Sequence, residues 1–496
     1  MLEEKRELGL FNTVLLGLSG AIGFEIFVLL DYAYFHLAGS GVILALLFAG
    51  IINLLIMLSY CELGAAMPYV GGEYTYIKNA YGGFIAFVSG CFRWLASIFG
   101  AALAAVCFTQ QFTYFFSLIL PFMQGFIAAF KPLIIVLIVF IFAISDIKGV
   151  KKLGDVVVFA FIALFIVFIT TGVFHGTAQV NVIPSSQPQS LLGVFAATVY
   201  TFPMFFGMRA LIARAVKVKN PEENIPKGIL LSAFLIIPLY IGLAYIGASV
   251  VPPGGKPSQS PLLNLAAERI LGWGGGILFA FAGMVASLSA LGTSLSVQSS
   301  IIRGMSRDRY LPKILLRTHK NFGTPYIAIL TGAIFVTFFS VIGAVEFLGY
   351  AASFGSLIVF AFVNLSLLKL RKEKPHMERP FKTPFYPFTP IAGVFMSLLM
   401  LVSPMFLGDV NAFEALTSGV GLTALALTTY YLRMVGRYRL QIAVGGACLG
   451  LGILSILAVS LTLTDVIPPI FPYLPNFIIL FFGIILAAAG FLNLTA

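Results

Sequence analysis

Long runs of apolar residues, separated by short polar segments, follow one another along the chain. The sequence contains fourteen such runs, and a helix needs roughly 20 apolar residues to cross the hydrocarbon core of a bilayer. They lie at residues 11–36, 40–66, 83–112, 127–145, 155–174, 190–215, 228–250, 273–302, 324–342, 345–368, 388–407, 412–432, 440–462 and 473–491. These runs are too long for barrel strands, and a helix satisfies its own backbone in lipid. The pattern therefore predicts an all-α polytopic membrane protein with about 14 transmembrane helices.

Composition supports the same class of protein. Apolar residues make up 59% of the chain and charged residues 10%, with a mean hydropathy of +1.01. An ordinary soluble domain has about 25% charged residues. The first ten residues lack the small-residue cleavage site of a signal peptide. We therefore expect the first apolar run to be retained as a transmembrane helix.

The net charge of +11 is distributed in a way that argues against a nucleic-acid partner. Of the 30 Lys and Arg residues, 25 lie in alternate loops, on one side of the predicted membrane. Only Lys131, Lys256 and Arg269 lie in loops on the other side. Cytoplasmic loops of membrane proteins carry such an excess. We expect a multi-pass protein of the cell membrane with both termini in the cytoplasm.

Side chains that could build an enzyme active site or a metal site are few. The cysteines Cys61, Cys91, Cys107 and Cys448 fall within or at the ends of apolar runs, without the spacing of metal ligands. Free cysteines in apolar surroundings usually act as small packing residues. We therefore expect no cofactor, no metal cluster and no enzymatic activity.

Two apolar runs are interrupted by residues that weaken a helix. The first run contains Gly17, Gly20 and Gly23, and the sixth contains Pro203 and Gly207. Transporters use broken helices to expose backbone groups to a solute near the bilayer midplane, and the first and sixth helices correspond if five helices repeat in inverted orientation. The glycines also suit close packing between helices, which is the alternative function for Gly17 and Gly20.

Charged residues lie beside both interruptions. Glu25 follows the glycines of the first run, and Arg209 follows Gly207 in the sixth. A charge at the bilayer centre costs roughly 2.5–3.5 kcal/mol or more and normally faces a cavity or a partner. Glu25 and Arg209 are therefore candidate functional residues. Arg93, near the start of the third run, is expected instead to extend toward the cytoplasmic interface.

Five motifs in this order resemble those of the amino acid, polyamine and organocation transporter family. They are GAIGFEIF near the N-terminus, MPYVGGEYTYIKNAYG at 67–82, VKNPEENIPKGI at 218–229, IIRGMSRDRYLPKILLRTHKNFGTP at 301–325 and ERPFKTP at 378–384. The similarity extends from about residue 9 to residue 385. The number of predicted helices is similar to that of the cationic amino acid transporter branch.

The resemblance implies a fold and an activity. The fold is a five-plus-five inverted-repeat (LeuT-like) transporter core in residues 1–370, followed by four additional C-terminal transmembrane helices in residues 371–496. The activity is secondary active transport of amino acids or related organic cations across the cytoplasmic membrane, by alternating access. The alternatives are an exchanger or substrate sensor with the same fold, and a transporter of polyamines or other amines.

The resemblance also implies a substrate site at the two interruptions. In such transporters, backbone amides of the first helix hold the substrate carboxylate, and carbonyls of the sixth helix hold the amino group. Carried over by position, the substrate-binding candidates are Gly20, Ala21, Ile22, Gly23, Phe24, Glu25, Phe202, Pro203, Met204, Gly207 and Arg209. The chain departs from the family at Glu25, where a small residue is usual, and at Pro203, where a gating aromatic is usual. Phe205, which flanks this position, is a gating candidate.

Two hypotheses about coupling follow. Glu25 would repel a substrate carboxylate unless it is protonated or paired, so we expect an ion pair between Glu25 and Arg209, with either a functional or a structural role. Sodium coupling would need hydroxyl ligands on the eighth helix, which Ser287 and Ser289 could supply. Serines in a helix often bond to their own backbone instead, so sodium coupling and ion-independent exchange both remain open.

Overall fold

This computed structural model describes residues 8–68, 72–148, 154–179, 191–213, 215–251, 261–342, 345–406, 410–434, 439–463 and 476–495. The description below applies to these residues. Helices account for nearly all of them, and the described part contains no β-strand longer than an isolated bridge between Leu8 and Val218.

Nineteen α-helices occur within the described ranges. They are α1 (Leu10–Ala21), α2 (Glu25–Tyr32), α3 (Val42–Ala66), α4 (Glu73–Tyr81), α5 (Gly83–Ile119), α6 (Gln124–Ala129), α7 (Lys131–Ile147), α8 (Gly154–Gln179), α9 (Leu191–Thr201), α10 (Arg209–Ala213), α11 (Pro221–Val250), α12 (Leu262–Leu271), α13 (Trp273–Arg307), α14 (Tyr326–Ile342), α15 (Val345–Glu373), α16 (Phe388–Phe406), α17 (Val410–Met434), α18 (Arg439–Leu463) and α19 (Asn476–Thr495).

Within the described residues, each of the fourteen predicted apolar runs overlaps one or more helices. Six described segments are long and apolar enough to cross a bilayer by themselves: Glu25–Ala66, Gly83–Ile119, Pro221–Val250, Trp273–Arg307, Val345–Glu373 and Ile442–Leu463. Several shorter apolar helices accompany them. The all-helical fold is therefore confirmed, while the number of membrane crossings and the division at residue 370 stay predictions.

Two short helices, α4 and α12, lie outside the predicted runs, and the predicted run 127–145 is divided between α6 and α7. The polar helix α4 contains Glu73, Lys78 and Asn79, and so it lacks the continuous apolar character by which the long runs were recognised. Its position matters, because α4 packs against both α5 and α15.

The long helix α5 lies at the centre of the packing and contacts α13, α14 and α15. Its middle consists largely of buried small residues, including Ala101, Ala102 and Ala105, which allow neighbouring backbones to come close. A similar close approach, between α1 and α11, explains why residue 17 is glycine. A Cβ atom there would lie 2.2 Å from the Ser232 hydroxyl of α11, so Gly17 is required for packing.

A buried carboxylate holds the end of α15 and the segment that follows it against α3. The Glu62 side chain of α3 is fully buried. It accepts hydrogen bonds from Arg371 at 2.8 and 2.6 Å and from the Thr383 backbone amide at 2.7 Å. Arg379 lies 3.3 Å from the same carboxylate. One buried carboxylate thus pairs with two arginines, and the three side chains together carry a net positive charge.

We expect replacement of Glu62 by Gln to destabilise the protein. The change leaves two largely buried guanidinium groups without their counter-charge, which typically costs about 3–5 kcal/mol. The measurement is unfolding of the purified protein in detergent.

The matched control is Glu223→Gln in α11. Glu223 pairs with Lys227 at 2.7 Å, but both side chains are more than half exposed. Exposed pairs of this spacing contribute about 0.2–0.5 kcal/mol. Equal losses of stability in the two variants would contradict the structural role of Glu62.

Candidate functional site

The first predicted interruption is present in the structure. Helix α1 ends at Ala21, helix α2 begins at Glu25, and residues 22–24 between them are not helical. The non-helical residues Ile22, Gly23 and Phe24 are buried. The break therefore exposes helix ends inside the protein, where the first amides of α2 and the last carbonyls of α1 lack partners in their own helices.

The second interruption takes a different form. Between α9 and α10, residues Phe202–Met208 form a 3₁₀-helix rather than an open loop. Seven residues is long for a 3₁₀-helix, which rarely exceeds three or four. Pro203 supplies no backbone N–H and so favours this departure from α geometry. The segment packs against α1, which brings the two interruptions together.

Tyr240 of α11 connects the two interruptions. Its hydroxyl donates a hydrogen bond to the Ala21 carbonyl at the end of α1. Its ring contacts the Phe205 ring, with 5.6 Å between the centroids. Sequence reasoning missed Tyr240. The available signal was a tyrosine within an apolar helix, since a buried tyrosine hydroxyl usually needs a partner.

The Glu25 carboxylate folds back over the first break. Its Oε2 atom lies only 2.1 Å from the position that a Cβ on Gly23 would occupy, so residue 23 must be glycine for this arrangement. The same oxygen is shielded from solvent and has no hydrogen-bond partner. Among the described residues, no cationic side chain forms an ion pair with Glu25.

The expected ion pair between Glu25 and Arg209 is absent from this structure, because Arg209 has other partners. Its Nε atom donates to the Phe206 carbonyl at 3.3 Å and its Nη2 atom to the Ser356 hydroxyl at 3.2 Å. The guanidinium also lies over the rings of Phe206 and Phe360, at 4.4 and 4.8 Å from their centroids.

The negative charge closest to Arg209 belongs to Glu73 of α4, with Nη1 and Oε1 3.8 Å apart. Arg93 of α5 donates to the other Glu73 oxygen at 2.9 Å, and the Tyr60 hydroxyl of α3 donates to Oε1 at 3.0 Å. We call Tyr60, Glu73, Arg93 and Arg209 the Glu73 cluster. It connects four helices. The extension of Arg93 toward the cytoplasmic interface stays a prediction, and the structure adds that Glu73 binds its guanidinium.

Sequence reasoning did not assign Glu73 to the site, although the residue lies within the second family motif. A carboxylate in a polar helix is ordinarily solvent-exposed, and only the packing of α4 against α5 buries it.

The two candidate sodium ligands of α13 are not equivalent. Ser287 is buried, and its hydroxyl donates to the Gly283 carbonyl at 2.7 Å. It lies beside Cys107, whose sulfur is 3.9 Å from the Phe24 carbonyl at the first break. Residues two apart on an α-helix point about 200° apart. Ser289 therefore faces away from Ser287, and the two hydroxyls cannot ligate one ion at this break.

Comparison with known proteins also indicates a membrane permease. A family model described as "Amino acid permease" matches residues 8–430, which end within α17 and leave α18 and α19 outside the match. The branched-chain amino acid permease BcaP of Bacillus subtilis is 28% identical to this chain, over 80% of the chain and 88% of the relative.

Two further relatives differ in the substrates that their names state. The methylthioribose transporter of B. subtilis is 25% identical, over 80% of this chain and 88% of its own length. Mouse cationic amino acid transporter 4 is 24% identical, over 75% of this chain and 60% of its own. The match over most of the chain shows that this polytopic membrane protein belongs to the amino acid permease family.

Proposed function

We propose that the chain is a secondary active transporter that moves amino acids or related organic cations across the cell membrane by alternating access. One observation carries this proposal: two broken helices meet inside the protein and are joined by Tyr240. Such breaks supply backbone donors and acceptors to a solute at a depth where intact helices have none to offer. Family membership also supports a permease rather than an enzyme.

The candidate site has an apolar wall. The side chains of Ile22, Phe24, Phe202, Met204 and Phe205 are buried around the two breaks. Such a lining suits a small solute whose polar groups bind the backbone and whose apolar part contacts side chains. Branched-chain amino acids, named for BcaP, and organic cations both fit this description.

The Glu73 cluster is proposed to close the cytoplasmic end of the site. It attaches α10, the short helix after the second break, to α4 and α5. The two attachments differ in strength. Glu73 and Arg93 form a hydrogen-bonded ion pair at 2.9 Å, whereas Glu73 and Arg209 lie 3.8 Å apart and Arg209 Nη1 has no hydrogen-bond partner. The contact with Arg209 is therefore the easier one to separate when α10 moves away and the site opens to the cytoplasm.

Transport itself is tested with purified protein in proteoliposomes. We expect saturable uptake of a radiolabelled substrate, and accelerated uptake when unlabelled substrate is loaded inside the vesicles. Counterflow of this kind requires a site that faces each side in turn. Saturable binding with no uptake would favour a sensor, and uptake without counterflow would favour a channel.

The role of the Glu73 cluster is tested by a double-mutant cycle of Glu73→Gln and Arg209→Gln. We expect each single change to slow uptake by about tenfold or more, since a coupling of 1–3 kcal/mol between conformational states corresponds to roughly 5–150-fold. The double variant removes both charges together, so its loss should be smaller than the product of the two single losses.

The control for this cycle is Asp308→Asn. The Asp308 carboxylate accepts hydrogen bonds from Lys78 of α4 at 2.7 Å and from the Tyr74 hydroxyl at 2.6 Å. Asparagine keeps an oxygen that can accept from Tyr74, so the change removes mainly the ion pair with Lys78, whose side chain is 42% exposed. Partly exposed pairs contribute little. A multiplicative double variant, or a control as defective as the single variants, would remove the proposed gating role.

A further inference from the structure

We propose that the Glu25 carboxylate takes the place of a substrate carboxylate at the first helix break, and that the substrate is an organic amine without a free carboxylate. The inference rests on the proposed transport function and specifies the chemical class of its substrate. It is argued from the position of Glu25, from its missing counter-ion and from the groups around it.

The position of Glu25 is the first step. It is the first residue of α2, so its backbone N–H belongs to the group of amides that have no partner within the helix. These amides and the positive end of the helix dipole favour one nearby negative charge. Glu25 Oε2 lies against Gly23, and the Glu25 amide is within hydrogen-bonding reach of its own carboxylate. The protein's own carboxylate thus occupies the place where a bound carboxylate would be stabilised.

The second step is the repulsion that a further carboxylate would meet. An α-amino acid bound at the same break would bring a second negative charge within a few ångströms of Glu25. Two carboxylates at that distance disfavour each other's ionised form. An ionised Glu25 therefore excludes the carboxylate of a zwitterionic substrate from this break.

The third step is the missing counter-ion. Arg209 is engaged by Glu73, Ser356 and two aromatic rings, and no other described cation reaches Glu25. The Oε2 atom is both shielded from solvent and without a hydrogen-bond donor. An ionisable group inside a membrane protein normally has a partner. A substrate ammonium group supplies both the positive charge and the missing donors.

The remaining groups around the break also favour a cation. The 3₁₀-helix Phe202–Met208 presents backbone carbonyls in a segment that lacks regular α-helical hydrogen bonding. The aromatic rings of Phe205 and Tyr240 contact each other, and the Tyr240 hydroxyl reaches the first break. Carbonyl oxygens and ring faces both attract an ammonium group.

The test compares substrates that differ only in the carboxylate. Uptake by wild-type proteoliposomes is measured for leucine against isopentylamine, lysine against cadaverine, and arginine against agmatine. We expect at least one amine to be transported ten times faster or more than its parent amino acid at equal concentration. Faster uptake of the amino acid in every pair would overturn this inference while leaving the transport function intact. Uptake of none of the six compounds would contradict both, because the proposed substrate range includes them.

Variants of Glu25 then show whether this residue causes the preference. Glu25→Gly frees the end of α2 for a substrate carboxylate, so uptake of the amino acid should rise and uptake of the amine should fall, reversing the ratio. Glu25→Gln should lose amine uptake, and Glu25→Asp should keep the preference because it keeps the charge. The exposed Glu223→Gln variant serves as the control and should behave as wild type.

Binding to the wild-type protein provides a readout that does not depend on folding of the variants. The preferred amine should raise the melting temperature of the detergent-solubilised protein, and its parent amino acid should not. Equal shifts from both members of every pair, or an unchanged preference in Glu25→Gly, would mean that Glu25 does not replace the substrate carboxylate.

Discussion

Backbone N–H and C=O groups in the interior of a membrane protein must find partners within the protein, and this requirement shapes the structure around its two helix breaks. At the first break, the Ala21 carbonyl is satisfied by the hydroxyl of Tyr240. At the second, the chain remains in a 3₁₀-helix over Phe202–Met208 instead of opening into a loop. Both breaks therefore keep much of their backbone paired, and they lie together because α1 packs against the 3₁₀ segment.

The same requirement governs the buried charges. Glu62 pairs with Arg371 of α15 and with Arg379 in the segment that follows it, and both carboxylate oxygens of Glu62 accept hydrogen bonds from Arg371. The Glu73 cluster is less evenly paired, since one of its two arginines makes a close hydrogen-bonded contact and the other does not. The same chemistry thus gives a tight attachment at Glu62 and a looser contact between Glu73 and Arg209, distinguished by distance.

Glu25 differs from both clusters because its partner does not come from the described part of the protein. Its carboxylate contacts the backbone of the first break on one side and lacks a donor on the other. Glu62 and Glu73, by contrast, each pair with two arginines. The unpaired carboxylate at a break in the candidate site therefore points to a ligand, and its charge points to a cation.

The sequence by itself determined the helical class, the approximate positions of the long helices and the places where two of them break. These features depend on local properties: apolar runs long enough for a bilayer, and glycine or proline at Gly23 and Pro203, where a helix is weakened. It also identified the family motifs and both charged residues beside the breaks. The short polar helix α4 escaped detection because its burial comes from neighbours that are distant in sequence.

Only the tertiary structure decided which charges meet. The sequence indicated Arg209 as the ion-pair partner of Glu25, yet Arg209 lies against Glu73. Tyr240 joins two breaks that are about 180 residues apart in the chain. Ser287 and Ser289 are equivalent candidates in the sequence, but their side chains face different directions on α13. The physical reason is the same in each case. Apolar pattern and helix-breaking residues act locally along the chain, whereas ion pairs and hydrogen bonds depend on distances that exist only once the helices have packed.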